Sequence, residues 1–162
     1  MPDANSAEIT LSNGFCGYST IAITVTSMRN QNPCDPDIYR QNPLTLANHL
    51  TMLASDAQLR RFPALQLKFR NTATILSFPN PAEAMSATKS LWLSMAEILQ
   101  LIHCFQIPCR CWYQRENLLL LFMDTTAESQ PSCYNIVQNG LHLYLHRSFS
   151  HNIVPPSFII TD

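Results

Sequence analysis

The chain has 162 residues, of which 46% are apolar and only 13% charged, with ten Lys plus Arg against eleven Asp plus Glu. Three glycines among eleven prolines exclude a Walker loop, a dinucleotide fingerprint and a G-x-S-x-G nucleophile elbow, each of which needs clustered glycines. A net charge of −1 argues against a broad phosphate grip and gives little colloidal repulsion, which favours self-association or a permanent partner.

The polar N-terminus lacks the basic and apolar regions of a secretory signal, and there is no Asn-x-Ser/Thr sequon. Six cysteines then read as reduced thiols. The longest apolar run, around Leu118 to Met123, is too short to span a bilayer. These features predict an intracellular protein, cytoplasmic or nuclear, without membrane contact. Residues 1–10 are expected to be a flexible tail and 11–162 a single α+β domain.

In chain order, Tyr18 to Ser27 alternates apolar and hydroxyl residues and predicts a half-buried strand. Met28 to Pro43 reads as a proline-bearing loop. Leu46, Leu50, Leu53 and Ala57, with Met52 nearby, mark a helix running to about Arg61, before Pro63. Residues 64–69 and 72–78 predict a hairpin turning at Arg70-Asn71, since Leu65, Leu67 and Phe69 alternate with Gln66 and Lys68. Asn80-Pro81-Ala82-Glu83 has the form of a capping box and predicts a long helix to about Phe105. Residues 109–114 and 118–123 predict a second hairpin, and 141–145 a further strand. Phe158-Ile159-Ile160 is expected to dock on a sheet edge. The first six elements, β-α-β-β-α-β, give a split βαβ, ferredoxin-like order: an antiparallel sheet with two helices on one face and extra C-terminal strands.

The chemistry-bearing residues are few. His103, Cys104, Cys109 and Cys111, with His142, His146 and His151, are the types zinc prefers. Cys109 and Cys111 share one strand face, as do the neighbouring His142 and His146. Their spacing does not follow a finger layout, so these four stand as metal candidates without an assigned metal, and no cofactor is implied. Cys16, between Gly14 and Gly17, reads as part of a tight turn and has no assigned base. Asp35 and Asp37 fall in the proline-rich loop, and Asp56 and Glu97 on polar helix faces. No set points to catalysis or to a small-molecule substrate. Trp112 and Tyr113 point to opposite faces of a strand, so whichever is exposed marks a contact surface.

Residues 46–90 resemble one repeat of the TATA-box-binding protein family. The likeness rests on Arg61-Phe62-Pro63-Ala64-Leu65, on Ile75-Leu76-Ser77-Phe78 and on Lys89-Ser90. The resemblance implies Phe62 and Phe78 as wedges in a DNA minor groove, with Lys68, Arg70 and Lys89 near phosphates. Without it, the two phenylalanines are core residues at the ends of a hairpin. The expected function is a non-enzymatic protein-interaction module, a small regulatory or accessory protein of a kind that also suits a compact viral genome. It acts as a homodimer or in a complex through a sheet face or edge; DNA is the alternative partner.

Overall fold

A computed structural model describes residues 14–30, 39, 41–125, 134–140 and 142–145, and the backbone of 157–159. The fold is α+β, with helices preceding strands along the chain. The span read as one domain divides into two compact units, 14–106 and 107–159 among the described residues. The expected tail lies outside those residues, as does most of the loop expected before Pro43.

The first unit is helical: α1 (Cys16–Asn30), α2 (Pro43–Ala54), α3 (Pro63–Ile75), α4 (Pro81–Ala87) and α5 (Met95–Phe105), with short 3-10 turns at Leu59–Arg61 and Lys89–Leu91. The expected first strand is therefore α1. Its Ser19, Thr20, Thr24 and Ser27 are buried along with Tyr18, Ile21, Ile23 and Val25. A helix covered all round has no polar face and loses the 3.6-residue signature. Thr24 Oγ1 donates to the Thr20 carbonyl at 2.6 Å and Ser19 Oγ to that of Cys16 at 3.1 Å, so the hydroxyls need no sheet neighbour. Tyr18 packs edge-on against Phe69 at 5.3 Å and its hydroxyl donates to the Leu91 carbonyl. Burial pushes that phenol far above its ordinary range. Gly14 enters α1 with φ +89°, and a Cβ there would collide with the Trp92 indole.

The helix expected over Leu46 to Arg61 is present as α2 and a 3-10 turn, with Leu46, Leu50 and Leu53 buried. Asn42 caps α2 by accepting from the Leu44 N–H at 3.1 Å. The hairpin expected over 64–78 is instead α3. Leu65, Phe69, Thr72 and Ala73 form its buried face, and Leu67 is exposed. Nothing at Arg70-Asn71 enforces a turn, and Pro63 suits the first helical position. The single long helix from Asn80 is broken between Thr88 and Ser94. Asn80 does precede α4, but its amide donates to Glu83 Oε2 at 2.8 Å rather than capping the backbone. The capping box stands at Ser94 and Glu97, where α5 begins.

The second unit is a mixed sheet of β1 (Cys109–Arg115), β2 (Leu118–Asp124), β3 (Tyr134–Asn139), β4 (His142–Leu145) and β5 (Ser157–Ile159), ordered β4-β3-β1-β2-β5. The expected β1–β2 hairpin, the strand at 142–145 and the C-terminal edge strand are present. The sheet is not strictly antiparallel, because β3 lies parallel to β1. A hairpin returns the chain to the end where β1 began, so β3 re-enters beside β1 in the same direction. With helices at 16–105 and strands after them, the ferredoxin-like order is not seen.

Candidate functional site

Neighbouring residues on β1 have opposite surroundings. Trp112 is fully buried, packed with Leu119, Val137 and Tyr144 and flanked by Leu121. Its indole N–H donates to Asn135 Oδ1 at 3.0 Å, and Tyr144 donates to Gln114 Oε1 at 2.8 Å. The polar atoms of this layer thus satisfy one another. Strand alternation turns Tyr113 to the other face, where it is 46% exposed.

Tyr113 pairs directly with Leu120, 38% exposed, and Leu118 lies two residues further along the same face at 43%. The register shifts between Cys111 and Trp112 leave Phe122 as an extra residue on β2. This bulge re-aims its side chain, which stacks on the Tyr113 ring at 4.1 Å and 23°. The exposed Tyr113, Leu118 and Leu120 and the half-buried Phe122 therefore form one continuous apolar patch. Arg115 and Glu116, both exposed, stand at the turn beside it, and Glu116 takes a positive φ of 56° there. Of the two aromatic candidates, Tyr113 is the surface residue and Trp112 the core.

The residues that the resemblance links to DNA lie in the helical unit. Phe62 and Phe78 sit just before and after α3, half-buried and exposed respectively. Lys68 pairs with Glu97 of α5 at 2.7 Å, Arg70 is exposed on α3, and Lys89 lies over the Trp92 ring at 5.8 Å. Burial alone would raise the Glu97 carboxyl, but hydrogen bonds from Lys68 and from the Ser94 backbone, with the lysine charge, hold it below its usual range.

The metal candidates do not all converge. Cys109 is level with Tyr134, whereas His142 is level with Asn139, five residues further along β3. At the strand rise that is roughly 17 Å. His146 lies outside the described residues, as do Asp35, Asp37 and His151. Among the described residues no three metal-ligating side chains gather. Cys109 and Cys111 do meet, with sulfurs 4.0 Å apart and both residues fully buried. The contact with Cys111 holds the Cys109 thiol below the ordinary cysteine range despite burial, and the same contact pushes Cys111 far above it.

Neither β3, Leu118 and Leu120 as site elements nor the bulge at Phe122 is marked by a local sequence pattern. The even apolar run Leu118 to Phe122 shows no preferred face, so alternation alone does not mark Leu118 and Leu120 as exposed. Among the described residues no helix is long and apolar enough to cross a membrane. Comparison of the chain with family models, curated proteins and solved structures gave no match.

Proposed function

We propose that the chain is a non-enzymatic interaction module, of the small regulatory or accessory kind, that pairs with a second copy of itself through the open face of the β1–β2 hairpin. The observation that carries this reading is the patch of Tyr113, Phe122, Leu118 and Leu120, contiguous by register and by ring stacking. Exposed apolar groups gathered on one face mark an association surface, whereas scattered ones do not. An aromatic pair supplies the rigid centre such surfaces use. A second copy suits the patch for two reasons. The net charge of −1 puts up little repulsion. The adjoining turn carries one cation and one anion, so a two-fold contact meets no like-charge barrier.

The test is light scattering on size-fractionated protein over a concentration series. The wild type is expected to show a reversible dimer, and the double variant Tyr113→Ser/Leu120→Ser a monomer of unchanged helix and strand content. Met52→Ser, which removes an exposed apolar side chain on α2, is expected to dimerise as the wild type. A strict monomer at all concentrations, or a dimer indifferent to the double variant, overturns the reading. So does salt-sensitive binding of duplex DNA that is lost in Phe62→Ala/Phe78→Ala, which would instead favour the DNA-binding alternative.

A further inference from the structure

We propose that Arg115 and Glu116, at the β1–β2 turn, pair crosswise between two copies of the chain, Arg115 of each with Glu116 of the other, and so select a second copy as the partner. The inference rests on the pairing of two copies proposed above and names the residues that fix its register.

Glu116 is unlike the other described carboxylates. Asp56 pairs with Arg29, Glu97 with Lys68 and Asp124 with Arg110, and Glu83 accepts from the Asn80 amide. Among the described residues Glu116 has no such partner, and neither has Arg115 beside it. Both are exposed. Arg115 lies two residues from Tyr113 on β1 and directly opposite Leu118 on β2, so strand alternation puts it on the face of the apolar patch. Glu116 opens the two-residue turn that follows, with φ 56°, a backbone state that favours glycine. A charged side chain there costs strain, and no ion pair among the described residues offsets it. A contact with a second copy supplies one.

The sign pattern decides the occupant. A phosphate backbone, or a surface of one charge, is attracted by one of these two groups and repelled by the other. A second copy related by a two-fold axis brings both complements at once, because in such a contact residue i meets j and j meets i. Charge pairs at the rim of an apolar contact set register and choice of partner more than strength. The apolar patch then holds the two copies together, and the crossed pairs reject a neighbour that lacks the same two charges.

The experiment reads dimerisation of the full chain by light scattering over a concentration series. Arg115→Glu sets acid against acid at both crossed positions, and Glu116→Arg sets base against base. Each variant alone is expected to dimerise at least about tenfold more weakly than the wild type, because like charges in contact repel. Mixed in equal amounts, with one of them isotopically heavy, they are expected to regain wild-type affinity and to form the mixed dimer well above its random share in native mass spectrometry. Recovery on mixing also shows that both variants are folded. Dimers of wild-type strength from either variant alone, or no recovery on mixing, would overturn the crossed pairs and leave the Tyr113 patch standing as a contact surface. A wild type that stays monomeric would overturn both readings.

Discussion

In the helical unit α1 is enclosed by its neighbours, and the Ser19 and Thr24 hydroxyls donate to its own carbonyls. In the sheet unit, Trp112 is fully buried and Tyr113 beside it is exposed, although Cys109, Cys111, Ile136 and Leu145, which share the Tyr113 face by alternation and register, are fully buried. Helix side chains fan around an axis, so a central helix must be covered on every side. Strand side chains alternate, and here both faces of the sheet are buried away from the β1–β2 turn, while near the turn Tyr113, Leu118 and Leu120 stay exposed. The exposed apolar groups of the helical unit, Leu44, Met52, Leu67 and Phe78, are spread over α2, α3 and the segment after α3. Those of the hairpin are contiguous, which is why the contact surface is assigned to the sheet.

The largest effect is expected at Trp112. Trp112→Ala removes the largest side chain of the closed layer and strips Asn135 of its indole donor. We expect a loss of about 3–5 kcal/mol in urea denaturation of the full chain. Tyr113→Ser, one residue away, loses the Phe122 stack and a half-covered ring and should cost only about 1–2 kcal/mol. Equal costs at the two positions would show that Tyr113 is as enclosed as Trp112.

Two smaller changes sharpen the account of the helical unit. Thr20 is fully buried and its Oγ1 has no partner among the described residues. Thr20→Val keeps the shape and removes a desolvated hydroxyl, so a gain of about 1 kcal/mol is expected in the same assay. A loss would mean that the hydroxyl has a partner. At the start of α5, Ser94→Ala removes the Ser94 Oγ to Glu97 N–H bond of 3.2 Å, and a cost of about 1 kcal/mol is expected.

Acid should give the smallest effect. The folded Glu97 carboxyl lies below its ordinary range, so its contribution is complete above the unfolded value. It fades as pH falls through the folded value, when the Lys68 pair is lost. Thermal melts from pH 6 to pH 3 should therefore show Glu97→Gln losing less stability with acid than the wild type. Identical slopes would remove Glu97 from the account.

How far the sequence discloses this molecule depends on which pattern a residue stretch carries. The β1–β2 hairpin is legible because two strand-forming runs flank Arg115-Glu116-Asn117, and α2 because Leu46, Leu50 and Leu53 repeat at helical spacing. α1 is not, because Ile, Val and Thr in alternation imitate a strand when every side of a helix is buried. α3 carries both periods: Leu65, Leu67 and Phe69 alternate, yet Leu65, Phe69 and Ala73 recur every four residues, and packing selects the second. The box at Ser94 was visible as Ser-x-x-Glu, but the helix expected from Asn80 ran through it. For the site, alternation alone separates Trp112 from Tyr113. Which of them faces solvent depends on β3 and on the bulge at Phe122, which are properties of pairing between distant segments.

Photo-crosslinking from position 113 shows whether two copies meet at the Tyr113 patch of the hairpin. A benzophenone amino acid replaces Tyr113 in the full chain, and the attachment site is read by mass spectrometry. An adduct of twice the chain mass is expected, attached within residues 118–122 of the second copy. Attachment within residues 14–106, or no adduct at concentrations where the protein is dimeric, would contradict it.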